Sequence, residues 1–368
     1  MYLHFQRKIL AVAWVCLLGT AVASERVAMC GDSITAKDVY TRYVRTYLRA
    51  SAGQPVAVRH FGVPGEIAAS LLHRIDREIA PFAPTTVTVM YGMNDGDYRP
   101  YHPAYAGGYE QNLERIVREL RARGVVRIYL ASPPPVDTFY FTLWEHAKST
   151  PTEYNENLKR LGAAARAVAE RNGVVWVDVN AACLRAMELT KQLFGEAYPY
   201  AKDGVHPSFG GHLAIAYAFL KAMGCEGDIG LITVDAATGI ATGSADHSIV
   251  AVDDEGVWVE STRYPFCFTD DPSGLQSTRL MLSSVPFNQE LNRYILRVTG
   301  ATRPLVVTWG ADSKIFTPEE LEVGINLAAE FSNNPFRPYF EALEQSPEAP
   351  VVPVRHQIKL AAVSPSET

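Results

Sequence analysis

The sequence predicts an α/β fold: a parallel sheet covered on both faces by helices, then a smaller β-rich module and a helix toward the C-terminus. Three observations predict it. From Arg26 to about Cys225, short β-prone runs alternate with helical patterns, and strands joined through helices run parallel. Between those runs, apolar residues recur at the 3.6-residue period of a buried helix face. From about Glu226 the helical stripes stop, and short β-prone runs alternate with Gly, Asp and Pro turns.

The first run, 27–29, leads into Cys30-Gly31-Asp32-Ser33-Ile34-Thr35, and a helical pattern starts at about Lys37. This passage sets the Ser33 hydroxyl between a strand end and a helix mouth, where backbone N–H groups favour negative charge. A second run, 56–60, is followed by Gly62-Val63-Pro64-Gly65 and a stripe of Ile67, Leu71, Ile75 and Ile79. The third, 87–91, leads into Gly92-Met93-Asn94-Asp95-Gly96-Asp97 and a helix on Tyr109, Leu113, Ile116, Val117 and Leu120, stopped by Gly124. After 125–130 come Ser132-Pro133-Pro134-Pro135 and a long loop carrying Phe139, Tyr140, Phe141 and Trp144. Tyr154, Leu158, Leu161, Ala165 and Val168 mark the next helix, stopped by Gly173, and 174–179 is the fifth run. Lys202-Asp203-Gly204-Val205-His206-Pro207 then precedes a helix around 211–222.

Beyond this core, expected at 24–225, runs at 231–234, 248–252, 257–259, 264–268, 294–298 and 305–309 predict a small antiparallel module over 226–310. Thr317, Pro318 and Glu320 form a capping box with proline at the first helical position. They predict a helix running through 324–328 toward Pro335, within a helical segment 311–345. Residues 346–368, with Pro, Ser and Glu at both ends, read as a loosely held tail.

Composition narrows the function classes. With 48% apolar and 20% charged residues, the 368-residue chain is globular rather than extensively disordered. A net charge of −6 and the lack of a basic stripe argue against a nucleic-acid partner. Arg7 and Lys8 precede the apolar stretch 9–23, and Ala21-Val22-Ala23 stands before Ser24. That pattern reads as a cleaved signal over 1–23, shorter than the ~20 residues a spanning helix needs, so the mature chain is expected in the periplasm or outside the cell without a stable membrane anchor. In such a compartment Cys30, Cys183, Cys225 and Cys267 allow three full pairings, although Cys30 also suits a small buried core position. No Cys/His cluster points to a metal, and no cofactor is expected.

Serine-based acyl transfer needs a nucleophile, a base, an orienting acid and donors for the oxyanion. Ser33 is the candidate nucleophile. His206, in a Gly/Pro-flanked loop at the same sheet edge, is the candidate base, and Asp203 is placed to fix its tautomer. The N–H groups of Ser33 and Gly65 and the side-chain amide of Asn94 are candidate oxyanion donors. Asp32 and Asp95 read as turn braces, His212 as structural, and His73 and His102 as surface or loop groups. Alone, each motif is ordinary: Gly-Asp-Ser and Gly-x-Asn-Asp occur in common turns, and Asp-x-x-His more often caps than catalyses. Their order, each beside a predicted strand end or helix start, carries the reading.

Gly31-Asp32-Ser33-Ile34-Thr35, the Gly65 turn, Gly92-Met93-Asn94-Asp95 and Asp203-Gly204-Val205-His206 also occur in the order of the four signature blocks of the SGNH (GDSL) hydrolases, which the chain resembles over roughly 26–225. The resemblance implies a flavodoxin-like three-layer sandwich and ester hydrolysis through Ser33, His206 and Asp203, with Gly65 and Asn94 in the oxyanion hole. His60 departs from it, standing where many members carry asparagine.

For substrate, Tyr98, Tyr101 and Tyr105 after the Asn94 loop, with Phe139, Tyr140 and Trp144 after the fourth strand, suit stacking on sugars as well as they suit loop packing. Together with export, these rings point to a carbohydrate O-acetylesterase acting on an acetylated carbohydrate; Tyr98, Phe139, Tyr140 and Trp144 are the candidate contacts. The alternatives are a lipid or thioester hydrolase of the same family and an inert secreted carbohydrate-binding or scaffold protein.

Overall fold

Along β1 (Glu25–Gly31) the side chains divide between two cores. Val27 and Met29 enter the hydrophobic cluster on one face of the first sheet, Ala28 and Cys30 the cluster on the other, as the period of a strand requires. The computed structural model describes residues 25–269 and 277–363, so the expected signal over 1–23 lies outside the described residues. β2 (Val56–Gly62), β3 (Thr86–Met90), β4 (Arg127–Ala131) and β5 (Val175–Val177) complete a five-stranded sheet in the order β2-β1-β3-β4-β5, every neighbouring pair parallel. That is the flavodoxin-like order. It places a binding crevice beyond the carboxyl ends of β1 and β3, where the strand order reverses.

Helices cover both faces, as expected. After β1 come α1 (Ser33–Ala36) and α2 (Tyr40–Thr46); α3 (Ala68–Leu72) follows β2 and α4 (Pro103–Ala122) follows β3. α5 (Pro151–Asn172), α6 (Val179–Phe194) and α7 (Phe209–Ala222) complete the layers. Leu71, Leu113, Ile116 and Leu161 pack with Ala28 and Val89 on one side, while Val44, Met187, Leu213 and Phe219 pack with Val27 and Met29 on the other. α5 shows why its sequence is helical there: Thr150 and Glu153 form a capping box, Pro151 opens the first turn, and Gly173 closes it in the left-handed region. The Ile67–Ile79 stripe is buried mainly through Leu71, Ile75 and Ile79, but as two short pieces, Ala68–Leu72 and Ile75–Ile79, rather than one helix.

The C-terminal part corrects the expected boundaries. β6 (Asp228–Asp235), β7 (Ala241–Gly243), β8 (His247–Asp253), β9 (Gly256–Ser261), β10 (Arg293–Thr299), β11 (Leu305–Trp309), β12 (Asp312–Phe316), β13 (Ile325–Asn326) and β14 (Val354–Ala362) build two further sheets, ordered β13-β10-β6-β7 and β12-β11-β14-β9-β8. β6 and β10 pair parallel, so the module is not wholly antiparallel. The 264–268 run forms no strand; Tyr264, Phe266 and Phe268 are buried in aromatic packing instead. A break at 310 would fall inside the β11–β12 hairpin. The helix opened by Thr317 does have its capping box, but it covers only Pro318–Val323, because Gly324 takes a positive φ and Ile325 enters a strand.

The tail reading of 346–368 is overturned for Val354–Ala362. This segment is the middle strand of its sheet, between β11 and β9, with Val354, His356 and Ile358 buried against Val259 and Trp309. Nor is the C-terminal core separate. The cluster holding Val44 and Phe219 continues through Phe266, Phe287, Trp309 and Phe340. The Tyr47 hydroxyl donates to the Leu291 carbonyl at 2.8 Å, and the Tyr264 N–H donates to the Ala50 carbonyl at 2.8 Å. Cys30, Cys183, Cys225 and Cys267 are all buried and free, so none of the possible pairings forms. Among the described residues, no helix is long and apolar enough to cross a membrane.

Candidate active site

Ser33 stands two residues past the end of β1 and opens α1. The preceding Asp32 caps that helix, its Oδ1 accepting the Ile34 N–H at 3.0 Å. Burial pushes the Asp32 carboxyl up to about 7. Gly65 and Asn94 follow β2 and β3, the two strands flanking β1, so all three residues come to one sheet edge. Gly65 has φ +75, a left-handed conformation that a side chain would strain. The Asn94 amide donates to the Glu66 carbonyl at 2.9 Å, and its oxygen accepts the Tyr98 hydroxyl at 2.7 Å. Asp95 accepts the Ala68 N–H at 3.0 Å, bracing the Asn94 loop against the start of α3, and burial pushes its carboxyl up to about 7.

The opposite wall comes from the loop before α7. Its turn needs Gly204, with φ +89 and an added Cβ only 2.4 Å from the Phe141 Cα. The turn lets Asp203 Oδ1 accept the N–H groups of Val205 at 3.0 Å and His206 at 2.8 Å. The other oxygen, Oδ2, lies 2.7 Å from His206 Nδ1, and His206 Nε2 lies 2.8 Å from Ser33 Oγ. Burial alone would raise the Asp203 carboxyl. Hydrogen bonds from the His206 ring and from the N–H groups of His206 and Val205 outweigh it and hold the group well below the usual carboxylate range. An ionised carboxylate only accepts, so Nδ1 carries the proton and Nε2 presents its lone pair to the serine hydroxyl.

The aromatic candidates separate. Trp144 meets the His206 ring edge to face, centroids 5.7 Å apart, and Tyr98 packs on Trp144 at 5.8 Å. Phe139 and Tyr140 instead touch each other, Lys191 and the Ala197 carbonyl. His102 caps α4, His73 is exposed, and His212 is buried.

Sequence reading missed Asp137 and Lys191, a buried ion pair with Lys191 Nζ 2.9 Å from Asp137 Oδ1. Asp137 also accepts the N–H groups of Phe139, Tyr140 and Ala201, and its own N–H donates to the Gly204 carbonyl. It thereby ties the long loop after β4 to the loop that carries His206. A lysine inside α6 at a position spaced with Met187 and Cys183 was the available signal, since an unpaired lysine is almost never fully buried.

An open parallel sheet with this chemistry at its switch-point edge defines an α/β ester hydrolase. The family model described as the GDSL-like lipase/acylhydrolase family matches residues 29–214, and the chain belongs to that family. An acetylxylan esterase of Geobacillus stearothermophilus is 29% identical over 195 residues, covering 51% of this chain and 81% of that one. The crystal structure of an acetylxylan esterase from the same organism is similar at 26% identity and a TM-score of 0.44, covering 55% of this chain and 95% of that one. A gut microbial diltiazem-metabolizing enzyme shares the fold at 23% identity, with a TM-score of 0.72 over 88% of this chain and 76% of that one.

Proposed function

We propose that the protein is a serine esterase that removes acetyl groups from carbohydrates through Ser33, His206 and Asp203. The observation that carries this reading is the unbroken hydrogen-bond line from Asp203 through His206 to Ser33, at 2.7 and 2.8 Å. His206 Nε2 takes the Ser33 proton as Oγ attacks the ester carbonyl. The oxyanion is met by the N–H groups of Ser33 and Gly65 and by the second N–H of the Asn94 amide, the first being held by Glu66. Each such donor contributes roughly 3–4 kcal/mol to the transition state. His206 then protonates the leaving sugar hydroxyl, and water releases acetate by the same route.

Two observations support the acetylated sugar. The acetylxylan esterase relative aligns over most of its own length, and Trp144 with Tyr98 forms an aromatic wall directly on His206. The same reading places the chain in the periplasm or outside the cell, on the strength of Arg7, Lys8 and the Ala21-Val22-Ala23 site.

Hydrolysis of a chromogenic acetate ester by the chain from Ser24, beside Ser33→Ala, tests the nucleophile. The variant should lose about 10⁴-fold or more of kcat. A folded variant that keeps its rate would overturn the assignment. Acetylated xylo-oligosaccharides tested next should release acetate.

A further inference from the structure

Beside His206 lies a cavity of about 390 Å³ between the end of α1 and the start of α7, with walls that include Lys37, Val39, Lys202, His206, Phe209 and His212. Its charge stands out in an acidic chain. Lys148, Lys191, Lys221, Lys314 and Lys359 each pair with a carboxylate. Lys37, Lys159 and Lys202 are exposed and form no ion pair among the described residues, and of these three Lys37 and Lys202 stand together on this cavity. Asp203 also borders it, but its carboxylate is turned to the His206 ring and two backbone N–H groups and forms no ion pair with either lysine, so two ammonium groups stand against one carboxylate on this cavity.

A second, independent feature is His212, which lines the cavity, is 1% exposed, and has no hydrogen-bond partner at either ring nitrogen. Burial, helped by the positive charges of Lys37 and Arg42 nearby, pushes its pKa down to about 3. It is therefore a neutral ring with one donor and one acceptor left over, and leaving such groups unmatched is costly. Val39 and Phe209 add apolar surface of the kind that a sugar face covers.

We propose that this cavity is a subsite for an anionic substituent, a carboxylate or a sulfate, on the glycan that carries the acetyl ester, held by Lys37 and Lys202 with His212 as a neutral hydrogen-bonding partner. The proposal rests on the acetylesterase reading of Ser33, Asp203 and His206 and specifies its substrate as an acidic glycan. A chain of net charge −6 repels polyanions at long range, so local, unpaired ammonium groups are what makes such a substrate acceptable.

The test uses three acetylated oligosaccharides of one linkage: a uronate, its carboxyl-reduced counterpart, and a sulfated form of the reduced sugar. At low salt, kcat/KM for at least one anionic ester should exceed that for the reduced one about tenfold, and added salt should shrink the ratio. The two anionic arms decide between carboxylate and sulfate. In a Lys37→Gln, Lys202→Gln double variant the ratio should fall toward one. Equal efficiency on all three in the unaltered protein, or a preference that survives the double variant, overturns the subsite. If the folded protein cleaves none of them and no acetylated xylo-oligosaccharide either, the acetylesterase reading itself falls and takes the subsite with it.

Discussion

Asp32 holds a carboxyl out of reach of water, directly before Ser33. Its Oδ1 is needed as an acceptor for the Ile34 N–H, but its charge is not needed for that bond. The folded pKa, raised to about 7 by burial, lies above the unfolded value near 3.8. The folded protein therefore keeps a proton that the unfolded chain has released. This contribution to stability is fully present below about pH 4 and is lost as pH rises through about 7. Asp32→Asn keeps the acceptor and cannot ionise. It should raise the melting temperature at pH 8 by a few degrees relative to the unaltered protein and leave it nearly unchanged at pH 4. Asp95, raised to about 7 by the same cause, preserves part of the slope. Equal pH profiles for the two proteins would show that Asp32 is hydrated or ionised in the fold. At this scale much of the site was legible, because Asp203 and His206 are neighbours on one turn and the Ser33 passage is itself local. What their spacing did not reveal is that Tyr98 would hold the Asn94 amide, a contact set by the loop's path.

The two loops that face each other across the site are joined by a pair that no local pattern announces. Asp137 and Lys191 are 54 positions apart, and only the packing of α6 beside the loop after β4 brings them together. α6 itself was not read from the sequence, because its buried face, Val179, Asn180, Cys183, Ala186, Met187, Thr190 and Lys191, mixes small and polar residues with apolar ones. Breaking a buried pair from one side leaves an uncompensated charge, at a cost of about 3–5 kcal/mol. Lys191→Met should therefore lower unfolding stability by about 3 kcal/mol, the remaining N–H donors to Asp137 softening the loss. Because Asp137 also binds Gly204 and Ala201, kcat on a chromogenic acetate should fall as the His206 loop loosens. Adding Asp137→Asn should recover stability more than activity. Urea titrations and initial rates on the single and double variants separate the two effects. Unchanged kcat in Lys191→Met would confine the pair to a purely structural role.

The whole molecule shares one hydrophobic cluster across what the sequence divides into modules. The parallel sheet was legible because strand and helix periods alternate cleanly through residue 225. The C-terminal organisation was not, because its sheets are assembled from strands distant in the chain. β14 alternates inward at Val354, His356 and Ile358, but flanking prolines and glutamates hide that period, and nothing local states that β9 and β11 need a strand between them. The consequence can be measured by ending the chain at Pro350. A loose tail would be dispensable. The structure requires the opposite: β9 and β11 lose their ladders, Trp309 loses the His356 ring that accepts its indole N–H, and the buried Val354 and Ile358 are removed. Each large apolar side chain buried is worth about 1.5–3 kcal/mol, and a domain retains only about 5–15 kcal/mol in all, so these losses consume most of the margin. Because the cluster continues to Val44 and Phe219 beneath the first sheet, the damage should reach the hydrolase half. The truncated chain should be recovered insoluble, or soluble with loss of near-ultraviolet dichroism and of esterase rate. A truncated protein that melts like the full chain would show that the C-terminal strand is an accessory to a core that folds without it.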